Sequence, residues 1–303
     1  MNSELASETR GSAEHFDCDV SVLGLGAMGT AMAKALVAGG KRVAVWNRSR
    51  SKAELLEEHG AYRCESAAEA LLASPVSIVV LLDNNAVNDV LAAVDQEAVF
   101  RDRTIVNFTT CSQEESEALD RLIAAMGGQH VKAAIVSYPR NIGHPESYGI
   151  YTGAEVAMSR CKDLVEVLAP HSIVLPQEDA AALSVALHAY SFAAMTAFYE
   201  AIGSSKHLGM APSSMARLVG DASRFFLADA IQDAIRRVEA DDFDGDQARL
   251  DVHATAFEYL AGALRSQGAN APVFEAVCEA TNRASEMGYG DNDIAAMIKA
   301  YSC

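Results

Sequence analysis

The chain has 303 residues, of which 50% are hydrophobic and 21% charged, a composition that predicts a globular protein of one or two domains. Its formal net charge of −17 disfavours nucleic acids and anionic membranes as partners, because both require a basic protein surface. The six cysteines have no metal-binding spacing and no apolar run has the length of a membrane helix, so we expect a cytoplasmic protein with reduced thiols.

The first part of the chain has the pattern of an α/β fold. Residues 1–16 are polar and aperiodic, and we interpret them as a flexible tail. From residue 17 to 177, short β-branched runs alternate with Ala-rich segments of helical length, which predicts a Rossmann domain with a parallel sheet. The predicted strands are 20–23, 43–46, 77–81, 104–107, 130–136, 148–151 and 172–175.

A glycine-rich turn follows the first predicted strand and leads into an Ala-rich helical segment. It consists of Gly24, Leu25, Gly26, Ala27, Met28 and Gly29. In dinucleotide-binding turns of this spacing, the glycines permit a tight turn, close approach of the backbone to a pyrophosphate, and close packing of helix on strand. The strand before the turn and the helix after it therefore favour a dinucleotide site.

The end of the second predicted strand indicates which dinucleotide is bound. An NAD site usually has an Asp or Glu there to bind the ribose hydroxyls. This chain has Asn47, Arg48 and Ser49 instead, with Lys52 in the next helix. Hydrogen-bond donors and positive charge suit the extra phosphate of NADPH, which a carboxylate would repel. We therefore predict NADPH as the cofactor.

Two later strand ends are expected to complete the cofactor site. Ligands of such sheets lie beyond the carboxyl ends of the strands. The candidate residues at these ends are Leu82, Asp83, Asn107 and Thr109.

The second part of the chain is predicted to be all-helical. Residues 178–206 are predicted to form one long helix that is apolar around most of its circumference. Packing one face of this helix against the first domain would leave its other faces exposed to water. We interpret it as an interdomain helix, followed by a helical dimerisation and substrate domain at 207–303. A homodimer in which each subunit wraps the other's helix would bury it, and so would closure of the helices within one subunit. Further helices are predicted at 213–238, 248–266, 272–287 and 291–300, and the acidic run 239–246 is expected to be solvated.

Several segments together carry a resemblance to a known family. They read VLGLGAMGTAMAKAL, VAVWNRSRSKAE, VLLDNNAV, AIVSYPRNIG and, near the end, GYGDNDIAAMIK. The chain resembles the NADPH-dependent imine reductases and reductive aminases, within the β-hydroxyacid dehydrogenase superfamily. This resemblance implies a domain-swapped homodimer with each active site shared between subunits. It also implies NADPH-dependent reduction of a small-molecule imine or iminium to an amine. Aromatic and methionine residues of the helical part, such as Phe192, Met195 and Phe225, would suit a bulky intermediate of specialised metabolite biosynthesis as the substrate, although core packing explains them as well.

The proton donor is where this chain departs from the family. Imine reductases commonly carry an Asp or Tyr where alignment from Glu178 and Asp179 places Leu187. The neighbouring His188 and Tyr190 are therefore the candidate catalytic residues, although a histidine in a helical interface is as often structural. A substrate that arrives as an iminium would need no protein acid.

Two alternative functions remain open at this point. A β-hydroxyacid dehydrogenase-like carbonyl reductase would place a catalytic Lys followed by Asn early in the long helix. Residues 177–204 contain no Lys, Arg or Asn, which argues against that reading. The second alternative is an NADPH-binding protein without catalysis.

Overall fold

The computed structural model describes residues 18–94, 97–175 and 180–301. The predicted tail 1–16 lies outside these residues, as does the start of the predicted long helix. The chain divides into two compact units, Met1–His188 and Ala189–Cys303. The domain boundaries expected from the sequence, after residues 16, 177 and 206, stay predictions.

The first unit is built on one sheet, whose described strands have the order β3-β2-β1-β4-β5-β6-β7-β8. All neighbouring strands are parallel except the antiparallel pair β6 and β7. This arrangement confirms the predicted Rossmann-type sheet, whose usual order is 3-2-1-4-5-6. The strands are β1 Val20–Leu23, β2 Val43–Trp46, β3 Tyr62–Arg63, β4 Val76–Val79, β5 Thr104–Asn107, β6 Gln129–Ile135, β7 Tyr148–Gly153 and β8 His171–Leu175.

Helices cover both faces of this sheet. They are α1 Ala27–Ala38, α2 Arg50–Glu57, α3 Ala67–Leu72, α4 Asn84–Ala92, α5 Glu97–Phe100, α6 Gln113–Ala125 and α7 Glu155–Leu168. Because side chains alternate along a strand, Val20 and Val22 pack in one core with residues of α1 and α7, whereas Leu23 joins a second core with residues of α3 to α6. Burial on both faces explains why the strands are nearly continuous apolar runs.

The second unit is helical. Its helices are the end of α8 Ala180–Ser204, then α9 Pro212–Ala222, α10 Ala228–Ala240, α11 Leu250–Ser266 and α12 Pro272–Ala284. Glu200 of α8 accepts hydrogen bonds from the backbone N–H groups of Val273 and Phe274, at 2.7 and 3.0 Å. Its carboxylate thereby caps the N-terminus of α12, whose own N-cap, Ala271, has no side-chain acceptor.

Several predicted elements need correction. The predicted helix 213–238 is interrupted by a π-helical turn at Ser223–Leu227, and the helix predicted at 291–300 is a 3-10 segment, Ile294–Tyr301. The helix predicted at 272–287 ends at Ala284, and Gly288 has a positive φ of 96° in the π turn that follows. The two-residue strand β3 was missed, since its length leaves no periodicity to detect.

The acidic residues of the run 239–246 are exposed at the end of α10, as expected from the sequence, and the run also contacts a buried arginine. Arg237 is buried, and its guanidinium donates to Asp233 at 2.8 Å, to Asp246 at 2.5 Å and to the carbonyl of Asp244 at 3.0 Å. Asp293 lies 3.7 Å from the same guanidinium. This arginine therefore fastens the loop after α10 to the C-terminal segment.

Candidate functional site

The three glycines of the turn between β1 and α1 meet different surroundings. Gly24 has φ of +99°, and a Cβ on it would lie 2.3 Å from the carbonyl oxygen of Val80. A Cβ on Gly29 would lie 1.9 Å from the carbonyl oxygen of Gly24. A Cβ on Gly26 would meet nothing within 4 Å. The first and third glycines therefore serve packing, and the second borders open space where a ligand can approach the backbone.

The N-terminus of α1 is left open for an anion. Its N-cap, Gly26, has no side-chain hydrogen bond, and its first turn contains no acidic residue. By contrast, Ser66, Asp83 and Ser112 cap α3, α4 and α6 of the same unit. The exposed residues Gly26 and Ala27 thus present an uncapped helix end with its positive dipole, which fits a pyrophosphate.

Asn47 has a different role from the one expected. Its Oδ1 accepts a hydrogen bond from the backbone of Leu25 at 2.9 Å, and its Nδ2 donates to the carbonyl of Ser49 at 3.1 Å. The side chain therefore joins the end of β2 to the glycine turn. We expected it to offer its N–H groups to a phosphate, but at least one of them is occupied by this internal contact.

Arg48 follows the end of β2 and Lys52 lies in the first turn of α2; both are exposed, and within the described part of the chain neither makes a side-chain hydrogen bond or ion pair. The other arginines nearby are all paired: Arg42 with Asp19, Arg50 with Glu54 and Glu65, and Arg63 with Glu57 and Glu65. Two uncompensated cations beside an open helix end match the charge of a ribose phosphate.

A cavity of about 240 Å³ lies beside the glycine turn, at the carboxyl ends of β4, β5 and β6. Its lining residues are Met28, Met32, Val80, Leu81, Leu82, Phe108, Thr109, Thr110, Lys132, Ala133, Ala134, Ile135 and His188. Leu82 is 93% exposed at its rim. Asp83, predicted beside it, instead caps α4, since its carboxylate accepts from the backbone of Ala86 at 2.8 Å.

The loop after β5 is held by hydrogen bonds between strand ends. Asn107 accepts from the backbone of Thr109 at 2.9 Å, and the Thr109 hydroxyl accepts from the backbone of Leu81 at 3.0 Å. Lys132 of β6 donates from Nζ to the carbonyl of Thr109 at 2.9 Å and to the Sγ of Cys111 at 2.8 Å. Asn107 and Thr109, both predicted to bind the cofactor, are buried and act first as supports of this loop.

Lys132 is a site residue that the sequence interpretation missed. It is only 6% exposed. The available signal was a lysine within the otherwise apolar run 131–135 of β6, where a buried charge is unusual.

Two buried polar atoms near the strand ends have no hydrogen-bond partner among the described residues. They are Oδ1 of Asn84, the first residue of α4, and Nδ2 of Asn107. Buried polar groups are nearly always satisfied, so both atoms are suited to a bound ligand. Asn84 belongs to the same strand-end segment as the predicted residues Leu82 and Asp83.

The candidate proton donors lie on α8. His188, half-buried, lines the cavity, and its neighbour Leu187 is also half-buried. Tyr190 is 59% exposed and belongs to the second unit. The first unit thus brings His188 together with the glycine turn and the ends of β4 and β5. Tyr190 is not among the residues that line the cavity of this unit.

Burial raises the pKa of the Cys64 and Cys161 thiols to about 12, so both remain protonated at neutral pH. The described residues contain no group of three or more His, Cys, Asp or Glu side chains that could hold a metal ion. No helix in the described ranges is long and apolar enough to cross a bilayer.

Comparisons with known proteins divide the chain in two. Residues 19–174 match the NAD-binding domain of 6-phosphogluconate dehydrogenase, and residues 177–302 match the C-terminal domain of proteins like the NADPH-dependent reductive aminases. An NADPH-dependent reductive aminase of Aspergillus oryzae is 32% identical over 139 residues, which is 46% of this chain and 46% of that protein.

Solved structures match nearly the whole chain. An imine reductase from Pseudomonas sp. is 32% identical, with a TM-score of 0.88, over 94% of this chain and 99% of that one. A Pseudomonas putida KT2440 protein, provisionally assigned as an oxidoreductase, is 51% identical, with a TM-score of 0.89, over 95% of this chain and 99% of its own.

Proposed function

We propose, from the premise that the chain belongs to the family of imine reductases and NADPH-dependent reductive aminases, that it reduces the C=N bond of a small imine or iminium to an amine. The protein is an NADPH-dependent oxidoreductase. The observation that carries the proposal is the open face of Gly26, which adjoins a cavity at the carboxyl ends of β4 to β6.

The residues present fit NADPH. The amide groups at the start of α1 would bind the pyrophosphate, and Arg48 and Lys52 would bind the ribose phosphate. Bound NADPH supplies the hydride, and the chain supplies orientation for the reacting groups. Thr109 lines the cavity, and the unpaired polar atoms of Asn84 and Asn107 would be available to the cofactor.

The activity is tested by NADPH oxidation against a panel of cyclic imines, of amine and ketone mixtures, and of small oxo acids. We expect turnover with imines and little with oxo acids, because residues 177–204, where a carbonyl reductase of this superfamily would place its catalytic lysine, contain none. Turnover of oxo acids alone would favour the carbonyl reductase alternative, and tight NADPH binding without any turnover would favour a non-catalytic protein. Bicyclic imines in the panel test the hypothesis of a bulky natural-product substrate.

Removing the two free cations should change the choice of cofactor. In the double variant Arg48→Gln and Lys52→Gln, the preference for NADPH over NADH should fall at least about tenfold, because a phosphate loses two positive partners. The readout is the ratio of kcat/KM for the two cofactors. Arg50→Gln is the matched control, since Arg50 is already paired with two glutamates. An equal loss of preference in the control would show that surface charge in general is responsible.

We further propose His188 as the proton donor. It is the titratable lining residue of α8, and an imidazole can protonate an imine nitrogen near neutral pH. His188→Ala should lower kcat for a neutral imine by about two to four orders of magnitude, and far less for a permanently charged N-alkyl iminium. Tyr190→Phe serves as the comparison. Equal effects of His188→Ala on both substrates would mean that His188 is structural.

The apolar surface of the second unit supports a homodimer. Tyr190, Phe192 and Tyr199 of α8 are exposed, and Phe225 and Phe226 of the π turn are 69% and 70% exposed. Soluble monomers rarely expose so many large apolar side chains, so we propose that a second copy covers them, with each active site shared between subunits in a domain-swapped dimer. Sedimentation equilibrium of the full chain should give twice the mass of one chain. The cytoplasmic location stays a prediction from composition.

A further inference from the structure

Lys132 is a buried cation that the proposed reduction does not use. It lines the cavity from β6, and its Nζ donates to the Thr109 carbonyl and to Cys111 Sγ, at 2.9 and 2.8 Å. A lysine ammonium has three donors, so these two contacts leave one N–H group.

The surroundings of Lys132 provide no carboxylate. Within the described residues, no Asp or Glu oxygen lies at ion-pair distance from its Nζ, and none lines the cavity. The chain has 41 acidic residues and only 24 Lys and Arg residues. The absence of a carboxylate near Lys132 is therefore a feature of this site and not of the overall composition. The other titratable lining residue, His188, is also basic. Because buried charges are normally paired, the cavity lacks a negative charge that a ligand could bring.

We infer that the imine reduced by this protein carries a carboxylate, which binds at Lys132. This inference rests on the proposed function. An iminium without an anionic group would bring a second positive charge next to the buried Lys132, and like charges repel more strongly where water screens them less. The carboxylate of an imino acid would offset one of these two charges, because it lies between Lys132 and its own iminium.

The test compares three cyclic imines of one ring size. They are a pyrroline that carries its carboxylate on a ring carbon bonded to nitrogen, the methyl ester of that compound, and unsubstituted pyrroline. For the wild-type protein, kcat/KM should be at least about tenfold higher for the carboxylate than for the ester, the equivalent of roughly 1.4 kcal/mol. Similar values for the two, or a preference for the ester, would overturn the inference. If none of the three imines is reduced although other imines of the panel are, the inference fails; if no imine of the panel is reduced, the proposed function itself fails.

Variants assign the preference to Lys132. Lys132→Met should bring the carboxylate-to-ester ratio close to one, mainly through KM, and Lys132→Arg should retain most of it. Lys162→Met removes an exposed lysine from α7 of the same unit and should leave the ratio unchanged. A ratio that persists in Lys132→Met would overturn the inference.

A measurement on the wild-type protein covers the case in which Lys132→Met fails to fold. Proline, the amine formed from pyrroline carboxylate, should inhibit at least about tenfold more strongly than prolinamide, which has no carboxylate. Equal inhibition by the two would overturn the inference.

Discussion

Gly26→Ala is expected to weaken NADPH binding strongly while leaving the melting temperature of the protein unchanged. The backbone of Gly26 has φ of −68° and ψ of −173°, which alanine adopts without strain, and its Cβ would meet no atom within 4 Å. The methyl group would instead occupy the space next to the helix end where the pyrophosphate must approach. We expect the Kd for NADPH to rise at least about 100-fold, or roughly 2.7 kcal/mol.

The other two glycines provide the control for this prediction. Gly29→Ala places a Cβ 1.9 Å from a carbonyl oxygen, and Gly24→Ala combines a close contact with a positive φ. Both should lower the melting temperature as well as the affinity, because the turn itself must move. Titration of NADPH fluorescence with thermal unfolding separates the two effects. Wild-type affinity in Gly26→Ala would show that the pyrophosphate does not lie at this turn.

This division among the glycines could be predicted from the sequence because it depends on local order. The strand, the turn and the helix are consecutive, and their spacing alone specifies which glycine faces which neighbour. For the same reason β1, β2 and β5 have the predicted bounds, since each is a short β-branched run buried on both faces. The absence of a carboxylate at the end of β2 is likewise a local feature.

Contacts between distant segments were not predictable in this way. Lys132 and Cys111 are 21 residues apart, and their contact depends on the parallel register of β5 and β6. Asn47 was predicted as a phosphate ligand because its residue type allows it, whereas its contact with Leu25, 22 residues away, emerges only in the folded turn. The π turn after α9 contains no Gly or Pro that would signal a break, so the sequence predicted one continuous helix.

Arg237→Met is expected to lower the free energy of unfolding by about 3 kcal/mol, because it removes a buried cation whose partners then lose their pairing. Methionine is of similar length and apolar, so packing is largely kept. Asp293, itself buried, would be left close to an apolar group, while Asp233 and Asp246 reach solvent and would be rehydrated. For that reason we expect the decrease in the free energy of unfolding to lie near the lower end of the range for a broken buried ion pair.

The pH dependence of stability identifies the ion pairs as the cause. Hydrogen bonds from Arg237 lower the pKa of Asp233 and Asp246 below the ordinary value near 4. A carboxyl with a lowered folded-state pKa adds stability above its unfolded pKa, and this stability is lost as the pH falls through the folded value. The difference between wild type and Arg237→Met should therefore be largest at neutral pH and should shrink below about pH 4.

Arg236 provides a matched control on the same helix. It is exposed and also pairs with Asp233, so Arg236→Met should cost less than about 1 kcal/mol. Urea unfolding followed by circular dichroism at neutral and acidic pH measures all three proteins. If Arg237→Met were no more destabilising than Arg236→Met, or if its effect were the same at both pH values, the loop after α10 would be held by packing of its apolar residues and not by the buried guanidinium.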